Sequence, residues 1–245
     1  MNAAPEERGP ELRWLRRAPA GIAAKIQAQN ADLKVSATYA RERPRLGVLS
    51  GTFNPPTRCH RALAERAREQ LHLDEVLWVI PEIPPHKQKL EAPLEDRAAM
   101  LLLAIEDAPQ FAAAIASHGL LLDIHRALAP HYPTETEVVF LLGRDAAERI
   151  LLRWPYANPA RALEEMFARF EIAVAERGGK FSLPRESLAA RFASKVESLE
   201  MSAECEAISA SAVREKILQG FELGNLVSPR VAAYILDRGL YRGRG

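Results

Sequence analysis

Two polar side chains, Thr57 and His60, stand three residues apart directly after the segment Ser-Gly-Thr-Phe-Asn-Pro-Pro. If a helix begins near Thr57, both side chains lie on its first turn and face the same ligand. A helix N-terminus attracts anions through its N–H groups and its dipole, so this pattern suits phosphate binding. The same pair also fits a structural role, in which Thr57 caps the helix and His60 is an ordinary polar residue. The residues alone leave both interpretations open.

The segment before Thr57 has the composition of a loop that approaches a ligand. Gly51 allows the backbone to come close to a ligand or to adopt a positive φ. Pro55 and Pro56 hold the loop extended, since proline fixes its own φ and restricts the residue before it. The chain contains neither a Walker A loop nor a G-x-G-x-x-G fingerprint, which weakens the usual P-loop and dinucleotide interpretations.

The elements that must position these residues follow from the hydrophobic pattern. Short apolar runs predict strands at 45–50, 75–81, 111–117, 137–143, 170–176 and 196–201. Helical periodicity is present at 59–71, 94–107 and 119–130, and again at 211–220 and 228–239, where each stretch ends at a glycine suited to a C-terminal cap. Strands that alternate with helices indicate a parallel sheet. We therefore predict a doubly wound, Rossmann-like α/β fold, with ligands beyond the carboxyl ends of the strands.

The first 44 residues differ in charge from the rest of the chain. Residues 1–45 hold nine Lys/Arg and five Asp/Glu, a net charge of +4, whereas the remainder carries −3. Four apolar residues could line one side of a helix: Leu12, Leu15, Ile22 and Ile26. We therefore predict a helical N-terminal extension at 1–44 and the main α/β domain at 45–245, whose first core strand begins at Arg45.

Composition narrows the classes of function. A formal net charge of +1 over 245 residues gives no basic footprint for nucleic acid. No run approaches eighteen apolar residues, so no membrane span is expected. The two cysteines, Cys59 and Cys205, are too few for a disulfide framework and lack the spacing of a metal site, which favours a reducing, cytoplasmic setting. The oligomeric state stays open, a homodimer being one option.

Several segments resemble a known family in the order in which they occur along the chain. "GTFNPPTRCH" resembles the G-T-F-D-P-x-H-x-G-H signature of the nucleotidyltransferase superfamily. "VIPEIPPHKQ", "FLLGRDAAERI", "ISASAVREKI" and "VAAYILDRGLYRG" are similar to further blocks of the bacterial nicotinate-mononucleotide adenylyltransferases within it. The resemblance covers about residues 45–243. It implies an enzyme that transfers AMP from ATP to a pyridine mononucleotide and releases pyrophosphate, a step of NAD biosynthesis.

The resemblance also implies roles for individual residues. His60, Thr57 and Arg214 would be catalytic: His60 and Thr57 as donors to phosphate oxygens, Arg214 as a bidentate grip on the β- and γ-phosphates. The implied nucleotide-binding residues are Ser50, Gly51, Thr52, Phe53, Gly143, Asp145, Ile208, Ser209 and Ser211.

Asp145 would accept hydrogen bonds from the ribose hydroxyls, unless it only caps the following helix. Lys87 and Trp154 would contact the acceptor, although a surface lysine and a packing tryptophan are alternatives. Mg²⁺ would be bound through the ATP phosphates, and no metal site made of protein side chains is expected.

Three departures from the family pattern keep alternatives open. Thr57 stands where the signature has its first histidine, and Cys59 stands where it has glycine. The family's Ser-Tyr-Thr segment is replaced near residues 116–128. A nucleotidyltransferase that uses CTP or another phosphorylated acceptor, or a nucleotide-binding pseudoenzyme impaired by Cys59, therefore remains as an alternative.

Overall fold

One twisted sheet organises the chain. The computed structural model describes residues 9–25, 43–85, 90–153, 156–176, 179–206 and 208–242. Within these residues seven strands pair in the order β1-β4-β3-β2-β5-β6-β7. The strands are β1 (Leu12–Arg16), β2 (Arg45–Ser50), β3 (Glu75–Pro81), β4 (Phe111–Ala116), β5 (Glu137–Gly143), β6 (Glu171–Ala175) and β7 (Val196–Leu199). Strands β2 to β7 pair in parallel, which confirms the six predicted strands and the doubly wound α/β fold.

Helices cover both faces of the sheet. They are α1 (Arg58–Gln70), α2 (Leu94–Ile105), α3 (Leu121–Leu128), α4 (Arg144–Leu152), α5 (Pro159–Arg169), α6 (Ala203–Glu206), α7 (Ala210–Leu218) and α8 (Pro229–Asp237), with a 3₁₀ segment at Ala190–Lys195. Buried side chains of α1, α2, α7 and α8 pack on one face. Those of α3, α4 and α5 pack on the other. The hydrophobic pattern had not indicated α5.

The two-sided cover explains why the strands are continuous apolar runs. In β3, Val76, Trp78 and Ile80 pack under α1 and α2. Leu77 and Val79 belong to the core on the opposite face. Successive residues of a strand point to opposite faces, so a strand that is buried on both sides needs an apolar residue at every position.

The N-terminal segment corrects one prediction. Residues 12–16 form β1, antiparallel to β4, and not the predicted helix. Arg16 donates to the carbonyl oxygens of Ile105 and Ala108, at 2.7 and 3.0 Å. Pairing with β4 satisfies backbone groups that an exposed edge would leave to water, and this outweighs weak local helix propensity.

Ile22 is fully buried, and residues 22–25 are helical. The backbone N–H of Ile22 donates to Oε2 of Glu75 at the start of β3. Residues 12–25 therefore pack on the same sheet as the rest of the chain. Ile26 lies outside the described residues, and the domain boundary at residue 44 stays a prediction.

Two glycines end the last two helices. Gly220 after α7 has a φ of 75° and Gly239 after α8 has a φ of 61°. Their N–H groups donate to the carbonyl oxygens of Ile217 and Leu236. Glycine adopts this left-handed conformation without steric cost, so the predicted C-terminal caps are confirmed.

Candidate active site

The site lies where the winding of the sheet reverses. Strands β2 and β5 are parallel neighbours at the centre of the sheet. The chain leaves β2 for α1 on one face and leaves β5 for α4 on the other. The connections diverge at this point and leave a crevice beyond the carboxyl ends of the strands, where open α/β sheets bind ligands. The predicted residues 50–53 lie at and just beyond the end of β2, and Gly143 and Asp145 lie at and just beyond the end of β5.

Thr57 and His60 form a reciprocal cap at the start of α1. The backbone N–H of His60 donates to Oγ1 of Thr57 at 3.3 Å, and the N–H of Thr57 donates to Nδ1 of His60 at 2.9 Å. Oγ1 of Thr57 also lies 2.8 Å from Nδ1. The capping interpretation of Thr57 is thus confirmed, while its role as a phosphate donor stays a prediction. The cap has a chemical consequence for His60.

Burial and the cap together set the state of His60. Loss of solvation lowers the pKa of His60 from 6.5 to about 4, so the ring is neutral at pH 7. A backbone N–H can only donate, so Nδ1 must accept and the ring proton resides on Nε2. Among the described residues no hydrogen bond occupies Nε2. The site therefore presents one oriented N–H donor.

The backbone at the start of α1 is less available to an anion than the sequence suggested. The N–H of Arg58 donates to the carbonyl oxygen of Leu226 at 2.9 Å. The N–H groups of Thr57 and His60 are used in the cap. Three of the first four N–H groups of the helix thus have partners within the chain. This corrects the expectation of a backbone anion site and assigns the polar contact to the His60 side chain.

Phe53 shapes the loop that leads to α1. Its φ is 44°, a left-handed conformation that costs a non-glycine residue free energy and is found mainly where packing enforces it. The ring is fully buried, with its centroid 5.3 Å from that of His60 and 5.2 Å from that of Trp78. A Cβ at Gly51 would lie only 3.2 Å from Cε1 of Phe53. Gly51 therefore leaves room for the Phe53 ring, which packs against the His60 ring.

Arg214 reaches the same loop from α7. Its Nη1 donates to the carbonyl oxygen of Asn54 at 2.8 Å, and its Nη2 donates to Oγ of Ser211 at 3.3 Å. Its Nε lies 3.0 Å from Oε1 of Glu91. Ser209 caps α7 by accepting from the N–H of Ala212 at 3.1 Å. The structure thus brings together the predicted residues of two distant motifs.

The remaining predicted residues are placed as follows. Ile208 directly precedes the cap of α7 and packs against the core. Gly143 is the N-cap residue of α4, so Asp145 is not the cap, and its carboxylate is exposed in the first turn. Lys87 and Trp154 lie outside the described residues, so their roles stay predictions.

Sequence reasoning missed a hydrogen-bond network centred on Asn54. Its Oδ1 accepts from the hydroxyl of Tyr241 at 2.8 Å and from the N–H of Ala92 at 3.3 Å. Its Nδ2 donates to Glu91, the residue that also pairs with Arg214. Asn54 lies in the quoted signature and Tyr241 in the Gly-Leu-Tyr ending, so both positions were visible, but their contact was not.

A second missed residue, Arg97, supports the loop from α2. It is buried, and its Nη1 donates to the carbonyl oxygen of Thr52 at 3.1 Å. Burial lowers the pKa of Arg97 from its ordinary value. A buried cation that donates to the backbone of residue 52 rigidifies the segment between β2 and α1.

A cavity of about 210 Å³ adjoins the loop on the α3 and α4 side. Ser50, Gly51 and Thr52 contribute to its wall, as do Arg149 and Ile150 of α4. A larger groove of about 650 Å³, between α1 and β7, shares no lining residue with it. The smaller cavity is therefore the one connected to the predicted site.

Cys59 does not disturb this arrangement. It is a half-buried residue in the first turn of α1, between the two residues of the reciprocal cap. The cap is complete despite the side chain at this position. The loop has accommodated the thiol, and the donor of His60 is oriented all the same.

Two features are absent from the part of the chain that the structure describes. No three His, Cys, Asp or Glu side chains lie close enough together there to hold a metal ion. No described helix is both long and apolar enough to cross a membrane.

The chain is similar to known proteins over most of its length. The model of the Cytidylyltransferase-like family matches residues 48–216. A probable nicotinate-nucleotide adenylyltransferase of Bordetella pertussis is 35% identical over 204 residues, 81% of this chain and 98% of that protein. One from Dehalococcoides mccartyi is 33% identical over 202 residues, 80% of this chain and 96% of that protein.

Solved structures show the same fold. The Plasmodium falciparum nicotinic acid mononucleotide adenylyltransferase complexed with NaAD superposes with a TM-score of 0.62 at 17% identity, over 81% of this chain and 98% of that one. The same enzyme complexed with APC gives a TM-score of 0.59. With the family model and the relatives above, the assignment is clear: the chain belongs to the cytidylyltransferase-like family and, within it, to the nicotinate-nucleotide adenylyltransferases.

Proposed function

We propose that this chain transfers the AMP group of ATP to nicotinate mononucleotide and releases pyrophosphate. One observation carries the proposal. A neutral His60, protonated on Nε2, lies on one side of the loop after β2, and Arg214 lies on the other. The relatives' names supply the acceptor, and the cavity beside the loop offers space for its ring. We place the reaction in the cytoplasm, where both nucleotides are available.

In the reaction, a phosphate oxygen of the acceptor attacks the α-phosphorus of ATP. The new P–O bond forms as the bond to the β-phosphate breaks, and pyrophosphate leaves with the electron pair. Charge grows on the bridging and α-phosphate oxygens as this happens, so donors fixed before the reaction lower the barrier most. No covalent enzyme intermediate is needed, and positioning together with charge stabilisation supplies the catalysis.

His60 supplies such a fixed donor. Its Nε2–H would bond to an α- or β-phosphate oxygen, with the ring held by the Thr57 cap on one side and by Phe53 on the other. The ring is already neutral, so it acts as a hydrogen-bond donor and transfers no proton. Orientation by the cap costs no reorganisation at the moment of reaction.

Arg214 would hold the β- and γ-phosphates. Its guanidinium has five N–H donors, and three are used on Asn54, Ser211 and Glu91. The contacts of Arg214 among the described residues leave two donors for phosphate oxygens, and Ser211 adds a hydroxyl in the first turn of α7. A guanidinium anchored in this way grips phosphate with little loss of side-chain entropy.

The remaining contacts belong to the proposal as well. Mg²⁺ would arrive on the triphosphate, bound by the substrate's own oxygens. Asp145, exposed after β5, would accept from the adenosine ribose hydroxyls. Lys87 and Trp154 would contact the acceptor.

The proposal is tested by pyrophosphate release from ATP, CTP and GTP, each with a panel of phosphorylated acceptors. We expect the highest kcat/KM for ATP with nicotinate mononucleotide. A preference for CTP, or for an acceptor without a pyridine ring, would refute this assignment within the same fold. If the wild-type protein released no pyrophosphate with any acceptor while Cys59→Gly did, the wild-type chain would be a pseudoenzyme.

A further inference from the structure

The cavity beside the loop has a largely apolar wall. Pro81, Pro84, Leu121, Leu142 and Ile150 contribute to it. Gly119 closes one side, where an added Cβ would lie 2.5 Å from Cδ of Pro85 and 3.0 Å from the carbonyl oxygen of residue 83. At about 210 Å³ the space is smaller than the 300–1,000 Å³ typical of a whole-ligand pocket, so it suits one flat ring of a ligand.

Arg149 is the cationic residue of this wall. The other two arginines of the α4 region pair with the same carboxylate: Glu148 lies 3.2 Å from Arg144 and 3.7 Å from Arg153. Among the described residues no hydrogen bond or ion pair engages the Arg149 side chain, which is exposed. The sequence segments 86–89 and 154–155, which lie outside the described residues, contain no Asp or Glu.

An arginine beside a small apolar cavity fits one class of ligand group. A guanidinium binds a planar carboxylate with two parallel hydrogen bonds, whereas a neutral amide offers it a single acceptor. A charged acceptor also forms the stronger hydrogen bond. A flat ring that carries a carboxylate would place its ring against the apolar wall and its carboxylate toward the cation.

We propose that Arg149 binds the ring carboxylate of the acceptor and thereby selects nicotinate mononucleotide over nicotinamide mononucleotide. The inference rests on the proposed function, and adds to it the residue that determines acceptor choice. Arg149 does not touch the reacting phosphates in this account, so it acts on acceptor binding. The alternative is a structural role, since Arg149 lies in the last turn of α4, where a positive charge stabilises the helix dipole.

The test compares the two mononucleotides as acceptors at saturating ATP, with wild type, Arg149→Gln and Arg149→Lys. We expect Arg149→Gln to lower kcat/KM for nicotinate mononucleotide by about 10- to 100-fold through KM, and to change the value for the amide acceptor little, because a hydrogen bond to a charged group contributes about 1.5–3 kcal/mol. Arg149→Lys should retain part of the preference. Arg153→Gln removes the same charge outside this cavity and should leave the preference unchanged.

Three results would overturn the inference. An unchanged preference in Arg149→Gln would make Arg149 a structural residue, and thermal unfolding would then show its contribution to the helix. An equal loss with both acceptors would assign Arg149 to a phosphate that they share. Loss of preference in Arg153→Gln would move the ring site to the neighbouring cavity of about 440 Å³. Calorimetric binding of each mononucleotide makes the same comparison without turnover, so failure of the proposed reaction and failure of Arg149 are separate results.

Discussion

Replacement of His60 by alanine separates the two tasks of this side chain. The imidazole presents Nε2–H to the site and accepts the Thr57 N–H at 2.9 Å through Nδ1. Alanine removes both bonds at once. The first loss should appear in catalysis, and the second should appear in stability.

The two losses have different expected sizes. Loss of one fixed donor to a transition-state oxyanion costs about 10²- to 10³-fold in kcat. A buried N–H without its partner costs about 1–3 kcal/mol of stability, and Thr57 is 4% exposed. For a chain of this size each kcal/mol lowers Tm by about 2–4 °C. The variant should therefore stay folded at 25 °C and turn over slowly.

The assay is steady-state pyrophosphate release with ATP varied, beside thermal unfolding of the same samples. His125→Ala is a matched control, because His125 is a half-buried histidine that packs 5.5 Å from the ring of Phe170 on the far face of the sheet. It should lose stability and keep kcat. If His60→Ala turned over within a few-fold of wild type, His60 would have no part in the mechanism.

The low pKa of His60 also predicts how stability and catalysis depend on pH. Folding depresses that pKa from 6.5 to about 4, so the folded protein binds the proton less well than the unfolded chain does. The resulting contribution to stability is complete above pH 6.5 and is lost as pH falls toward 4. For catalysis, the ratio of kcat/KM between wild type and His60→Ala should be flat from pH 6 to 8. A ratio that rises as pH falls through 6.5 would show that the cation is the active form.

Three further predictions concern the surroundings of the site. Arg214→Ala should raise the KM for ATP and lower kcat/KM, and unchanged kinetics would make Arg214 a surface residue. Tyr241→Phe removes the hydroxyl that donates to Asn54 at 2.8 Å; it should cost about 1–3 kcal/mol in urea unfolding and raise the KM for ATP, whereas unchanged values would remove Tyr241 from the network. Cys59→Gly should change turnover little, because the cap is already complete; a tenfold gain, about 1.4 kcal/mol, would reveal crowding by the thiol.

A further prediction concerns the N-terminal segment, which its charge marked as an extension. A chain that starts at Arg43 would lack β1 and the buried Ile22, so β4 would become an exposed edge. We expect this chain to aggregate or to unfold at a clearly lower temperature, because an unpaired apolar edge invites association. A soluble truncated protein with an unchanged Tm would show that residues 1–42 are a separable appendage.

Much of the fold was predictable because most residues of β2 to β6 are buried, on both faces of the sheet. Such strands must be apolar at every position, which makes them visible as runs in the sequence. Strand β1 has no such run, since two of its five residues, Arg13 and Arg16, are arginine. Its pairing partner, β4, lies almost a hundred residues later, so no local pattern could indicate the contact.

The site residues also fall into two groups, those that the sequence reveals and those whose contacts only the fold shows. His60, Ser209 and Arg214 belong to short motifs, and their types and spacing suffice to find them. The contacts of Asn54 with Glu91 and Tyr241 join three remote parts of the chain, and only the fold shows that they meet. The reciprocal cap was missed for another reason: its third helical residue is usually Glu or Gln, whereas here it is His60.

The central claim is transfer of an intact AMP group from ATP to nicotinate mononucleotide. Its most direct test is a single-turnover reaction with ATP labelled at the α-phosphorus and an excess of the full-length protein. The account predicts that the label appears in the dinucleotide, in equal amount to the pyrophosphate released and without labelled protein at any time. Label that remains in ATP, or that appears in free AMP or on the protein, would contradict it.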